Sequence, residues 1–158
     1  MTMIIDGTNG LTFNNNTTQA SSSKVLQVVN ATYSTQVSTT TSTYVDTGLT
    51  ATITPLFATS KILVIVDQGS VGKTLGDTKF VIRLVRNSTT LFNLDTLPGY
   101  TASTISNAVG SVSTNYLDSP ATTSATTYKT QFNNADNVGT TLVQWNGTST
   151  ITLMEIAA

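Results

Sequence analysis

The stretch "GSVGKT" (Gly69 to Thr74) is the first place in this sequence where residue types and spacing suggest chemistry. A phosphate-cradling loop needs a glycine five positions before its Gly-Lys pair, so that backbone N–H groups curl around the phosphates. Asp67 stands at that position, and no helical pattern follows Thr74. The glycines are therefore expected to shape a loop between strands. Paired carboxylates are the next chemistry to weigh, because glycoside hydrolysis needs one acid and one base or nucleophile. Asp6, Asp46, Asp67, Asp77, Asp95, Asp118 and Asp136 mostly sit beside glycine, serine or asparagine at strand ends, and no spacing singles out a pair. A turn carboxylate that bonds nearby backbone N–H groups explains them without catalysis. The chain has no histidine and no cysteine. That removes the usual general base, the commonest metal ligand, thiol chemistry and disulfides. The expectation is no enzyme, no cofactor and no metal.

Candidates for binding are few. The larger aromatic side chains are Tyr33, Tyr44, Tyr100, Tyr116, Tyr128 and Trp145. Tyr100, in "LPGYTAS", is expected in a loop, where its ring could stack on a sugar; a half-buried ring with a bonded hydroxyl is the alternative. The N-x-S/T triplets at Asn15, Asn16, Asn30, Asn87 and Asn146 follow from a composition rich in Asn and Thr. Net charge is −1, and "RLVR" (Arg83, Arg86) is the densest basic spot. Nucleic-acid binding needs clustered Lys and Arg against phosphates, so no nucleic-acid partner is expected. No apolar run approaches the roughly 20 residues of a membrane span, and no signal-peptide pattern opens the chain.

The elements that hold these residues are strands. Thr alone supplies about a fifth of the 158 residues, charged residues only 9%, and there is one Glu, Glu155. Thr, Val, Ile and Tyr fit a pleated, half-buried surface, and the strong helix formers are scarce. Extended segments alternate with turn clusters from Lys24 onward: "KVLQVVNATY", "TYVDTGLTATITP" (read as broken at Gly48), "KILVIV", "TKFVIRLVR", "TTLFNLD", "TISNAVGSVSTNYLDSP", "ATTYKTQFNN", "GTTLVQW" and "TSTITLMEI". Asn87-Ser88 and Asn146-Gly147 each read as hairpin turns, the second as type I′. The reading is an all-β antiparallel sandwich of about eight to ten strands.

Two strands are apolar on both faces. In "KILVIV", Ile62, Val64 and Val66 face one way and Leu63 and Ile65 the other; Ile151 and Leu153 oppose Met154 and Ile156 in the last strand. A two-layer sandwich covers only one face of each sheet. The second face calls for a further layer, either a loop or another copy of the chain, and a homo-oligomer is the expectation.

"IIDGTNGLTF…TTQ" at the start resembles a segment that recurs in bacteriophage tail fibres and other virion proteins, commonly as "DGTNGLTFPDGTTQ". "SKILVIV", "YLDSPATTSATTYKTQF" and "STITLMEIA" are likewise similar to terminal modules of marine and cyanobacterial phage fibre proteins. Here "NNN" (Asn14 to Asn16) replaces the usual Pro-Asp-Gly turn. The resemblance implies a homotrimer with a jelly-roll-like head, residues 23–158, behind an attachment segment and spacer, residues 1–22. With almost no shaft, this would be a stubby fibre or knob. In that segment Ile4, Ile5, Leu11 and Phe13 surround "DGTNG", a hairpin too small to be stable alone. Docked on another phage structural protein or wound with its own copies, it could bury those side chains. The implied role is a virion protein made in the host cytoplasm, a tail fibre or receptor-binding head contacting host surface glycan or protein. The alternatives are a trimeric capsid-decoration protein and, less favoured, a polysaccharide depolymerase.

Overall fold

The computed structural model describes residues 24–103 and 108–158 throughout, with the backbone of Asn107 and of three short N-terminal strands. Those three strands, β1 (Ile4–Asp6), β2 (Gly10–Thr12) and β3 (Thr18–Gln19), form a small antiparallel sheet of their own. Ile5 lies opposite Leu11, the pairing a hairpin around "DGTNG" requires. Phe13 and the side chains of Ile4, Ile5 and Leu11 lie outside the described residues.

Ten further strands make a sandwich: β4 (Val25–Tyr33), β5 (Val37–Thr39), β6 (Val45–Ile53), β7 (Lys61–Lys73), β8 (Phe80–Arg86), β9 (Thr89–Asp95), β10 (Asn107–Asp118), β11 (Thr126–Asn134), β12 (Thr141–Val143) and β13 (Ser149–Ile156). One sheet runs β4-β13-β7-β10, with β12 and β5 continuing beside the far half of β7. The other runs β6-β11-β8-β9, and every pairing is antiparallel. The chain crosses between sheets at six of its nine steps from β4 to β13, which is the jelly-roll way of wrapping two sheets around one core.

Alternation sets what is buried. Thr47, Leu49, Ala51 and Ile53 on β6 and Ile62, Val64, Val66 and Gln68 on β7 point inward, while their neighbours point out. The core falls into two apolar clusters, one around Ile62, Val64, Leu84, Tyr128 and Leu153, the other around Val71, Phe80, Ile82, Phe132 and Val143. A buried polar string runs between the sheets. The Thr47 and Thr130 hydroxyls are 2.6 Å apart, Thr130 donates to Gln68 Oε1 at 2.7 Å, and Gln68 Nε2 donates to Ser149 Oγ at 2.8 Å. Such groups are tolerated in a core only because each has a partner.

Three sequence expectations are corrected. Gly48 does not break its strand: β6 runs through it as a bulge, with Thr47–Leu49 opposite Thr130 and Gly48 at φ 87. The Thr47 hydroxyl accepts the Leu49 N–H at 3.1 Å and satisfies the interrupted ladder. The Tyr33 ring covers Gly48 so closely that an added Cβ would meet it at 2.2 Å. Gly48→Ala is therefore expected to cost about 2 kcal/mol, from the backbone region and the clash together. Urea denaturation checks this, and a cost below about 0.5 kcal/mol would contradict it.

The second correction concerns "GSVGK", which is strand and not loop: β7 extends to Lys73 with Gly69 and Gly72 buried. A Cβ on Gly69 would lie 2.3 Å from the Thr148 carbonyl oxygen, so this glycine serves close backbone approach. The third concerns Asn146-Gly147, which is not a hairpin. Both β12 and β13 run antiparallel to β7 along one edge, Leu142 opposite Gly72 and Thr150 opposite Asp67. Between them Gln144 N–H and Trp145 N–H still donate to the Gly69 and Ser70 carbonyls, at 3.1 and 2.9 Å. Pairing with β7 thus overrides the local turn signal, and the loop is an excursion from one strand edge. Asn146 has φ 64, but Gly147 lacks the positive φ that a type I′ turn requires. The Asn87-Ser88 turn does join β8 to β9 as expected.

Candidate functional site

The registers give the sandwich two unlike ends. At one end lie the start of β4, the end of β13, the 54–60 loop and the β8–β9 turn; Ala157 N–H donates to the Lys24 carbonyl at 2.8 Å there. The distal end gathers the loops 34–36, 40–44, 74–79, 96–103, 135–140 and 144–148. Lys24 therefore lies at the end that carries the 54–60 and 119–125 loops, opposite the distal loops.

Two buried carboxylates hold the terminal end together. Asp118 on β10 accepts from Arg86 Nη1 at 2.9 and 2.8 Å and from the Tyr128 hydroxyl at 2.6 Å, which ties one sheet to the other. Burial and the bond to Asp118 push the Tyr128 hydroxyl well above its ordinary pKa. Glu155 is fully buried and accepts Gln27 Nε2 at 2.6 Å and the Leu56 and Phe57 N–H groups at 2.8 and 3.3 Å. Burial alone would raise its pKa; Gln27, the nearby Ser60 hydroxyl and the two backbone amides together hold it below the usual value. Neither carboxylate has a second carboxylate as partner, so both read as clamps.

The two outer faces differ in chemistry. On the β4-β13-β7-β10 sheet, Val28, Met154, Leu63 and Leu117 stand in register across all four strands, and Asn30, Thr152, Ile65 and Asn115 form the next row. Val28 is 56%, Leu117 50% and Ile65 42% exposed, so no described loop covers them. Charges border these rows, with Lys61 toward one end and Asp67 toward the other. On the opposite sheet the outer face is hydroxylic and charged. Thr52 and Thr127 hydroxyls are 2.7 Å apart, Lys129 pairs with Asp46 at 2.8 Å, and the Arg83 guanidinium lies 3.6 Å over the Tyr44 ring. Isolated exposed apolar side chains are ordinary; a contiguous apolar band on one face and a polar lattice on the other are not.

At the distal end, Tyr100 is half-exposed in the loop that follows β9, as expected from sequence. Its hydroxyl donates to Asp77 at 2.7 Å, which raises its pKa, and its ring lies 5.6 Å from Lys73 Nζ. Lys73 is buried; its ammonium donates to Thr101 Oγ1 at 2.6 Å, and burial lowers its pKa. These contacts hold the loop. A separate cleft of about 330 Å³ opens between Ser34, Gln36, Gln144, Asn146, Gly147 and Thr148. Its lining is amide and hydroxyl with no charge. Sequence reading missed it because the lining joins two loops far apart in the chain. Among the described residues no three His, Cys, Asp or Glu side chains gather as a metal site would, and no helix is long and apolar enough to cross a membrane.

No protein-family model and no curated protein matches the chain. Among solved structures it is similar to the crystal structure of the infectious bursal disease virus VP2 subviral particle, with TM-score 0.54 and 13% identity over 88% of this chain and 34% of that one. The structure of the Gx strain of the same virus matches with TM-score 0.44 and 18% identity, again over 88% and 34%. The chain spans about a third of the length of these proteins. Together with the strand order, the first likeness identifies the fold as an all-β, jelly-roll-like antiparallel sandwich.

Proposed function

We propose that this chain is a virion structural protein, the homotrimeric head of a short tail fibre or receptor-binding protein that meets the host surface with its distal loops. The observation that carries the reading is the uncovered apolar band Val28–Met154–Leu63–Leu117, with Ile65 beside it. Water penalises such a band at roughly 25 cal/mol per Å², and burying it against a neighbour removes that penalty. The occupant is a second copy of the chain, since the band presents no charge for a charged partner to recognise. The polar outer face of the other sheet then remains in solvent. Lys24 lies at the end opposite the distal loops, which supports attachment through residues 1–22, and the sequence resemblance to phage fibre modules supports the virion setting. No enzymatic role is proposed: the buried carboxylates are consumed in structural bonds.

Sedimentation of the full chain at micromolar concentration should give about three times the 16.6 kDa chain mass. The double variant Ile65→Asp, Leu117→Asp should run at the single-chain mass with an unchanged circular dichroism spectrum, because both side chains are exposed in one chain. A monomeric parent protein would overturn the assembly. Antibody labelling of intact particles under the electron microscope distinguishes the setting: label at the tail supports a fibre, label over the whole shell supports a decoration protein.

A further inference from the structure

We infer that the neutral cleft at the distal end is a binding site for an uncharged sugar. This rests on the receptor-binding reading and names the place and the ligand class. Three observations converge on it.

The first is the lining. Ser34, Gln36, Gln144, Asn146 and Thr148 offer hydroxyls and amides, groups that both donate and accept, around a cleft of about 330 Å³. That volume falls at the lower end of the roughly 300–1,000 Å³ of small-molecule sites. A polyol matches such a lining hydroxyl for hydroxyl, whereas an anion or cation would find no opposite charge.

The second is an unsatisfied amide. Gln144 is 1% exposed, and its Oε1 has no hydrogen-bond partner. At the other side of the same amide, Ser149 Oγ lies within 2.8–2.9 Å of Gln68 Nε2, Gly69 N–H and Gln144 Nε2. A hydroxyl oxygen has two lone pairs and one proton, so three donors overfill it and leave its own proton unplaced. Turning the Gln144 amide over resolves the conflict: its oxygen then accepts the Ser149 proton, and its NH₂ becomes the free group. In either orientation one buried polar atom of a cleft residue lacks a partner, which costs free energy in the unliganded fold. The string Thr47–Thr130–Gln68–Ser149 fixes the other side of that amide from the core.

The third is backbone strain. Ser70, Gln144 and Asn146 carry φ of 51, 54 and 64, positive values at non-glycine residues, all on this loop or against it. Strain of this kind persists where the surroundings enforce it, and it concentrates at ligand clamps.

Trp145, the chain's one tryptophan, is half-buried between Gln144 and Asn146 in the chain, so its emission reports on the loop that lines the cleft. Glucose, galactose, mannose and N-acetylglucosamine, each titrated to tens of millimolar against the full chain, should include at least one that changes Trp145 emission saturably. Gln144→Leu should weaken that sugar at least about tenfold. Gln36→Ala, an exposed change that leaves the core untouched, should weaken it several-fold. Loss of binding in both, with an unchanged circular dichroism spectrum, supports the site. No saturable response to any of the four, or equal affinity in both variants, overturns it, as does a response confined to a charged sugar such as sialic acid. Trimer mass and particle labelling are read independently, so a failed titration with an intact trimer removes this site and leaves the structural role standing.

Discussion

Replacing Asp118 with alanine is expected to lower the free energy of unfolding by about 3 kcal/mol, the low end of the cost of breaking a buried ion pair. The Asp118 carboxylate is 5% exposed and joins β10 in one sheet to Arg86 and Tyr128 in the other. Its removal strands the Tyr128 hydroxyl, which is fully buried in the core. The Arg86 side chain is 26% exposed, so solvent recovers part of its loss, and the low end of the range is the right choice. Tyr128→Phe removes one bond and leaves the ion pair, and should cost about 1 kcal/mol. The double variant should cost less than the sum, because the two groups share one bond. Urea denaturation of the four proteins measures all three values. A loss below about 1 kcal/mol for Asp118→Ala would show that the sheets are held by packing alone. Against a typical stability of about 5–15 kcal/mol, the expected loss is a large fraction.

Glu155→Gln is expected to cost about 2–3 kcal/mol at neutral pH, since bonds to a charged acceptor are stronger than their neutral counterparts. The carboxylate gathers Gln27 and the backbone of Leu56 and Phe57, so the variant should also loosen the 54–60 loop. Its pH dependence has a definite sign. The folded-state pKa lies below the ordinary 4.5, so the folded chain binds fewer protons than the unfolded chain in the interval between the two values. The stabilisation is therefore complete above pH 4.5 and is lost as pH falls through the folded-state value. Parent and variant stabilities should differ most at neutral pH and converge in acid. Protection of the Leu56 and Phe57 amides from hydrogen exchange, taken relative to the intrinsic rate at each pH, should fall over the same interval. A difference that stays constant down to pH 2 would mean that the carboxylate charge contributes nothing.

How far the sequence could be read is clearest at particular residues. The alternation in "KILVIV" put Ile62, Val64 and Val66 on one face and Leu63 and Ile65 on the other; the structure keeps that division and shows that the first set is the buried one. Alternation is a local consequence of the strand's period of two, so it needs no knowledge of neighbours. The Asn146-Gly147 turn failed for the opposite reason: its local preference for a hairpin lost to pairing with β7, an element some seventy residues away. The "GSVGK" glycines failed likewise, because the Thr148 carbonyl that demands a glycine at position 69 arrives only in the folded chain. The cleft was illegible altogether, since Ser34 and Gln144 meet only after β4 pairs with β13 and β5 with β12.

By itself, then, the sequence determined the class of structure: strands, which residues share a face, the absence of His and Cys chemistry, and an apolar excess beyond what one sheet face can bury. Those properties depend on residue type and near-neighbour spacing. Tertiary structure alone decided which strands pair, that Asp118 and Glu155 serve as clamps, and that Gln144 is left with an open bond beside a neutral cleft. Each of these depends on distances between residues remote in sequence, and such distances exist only once both sheets have packed.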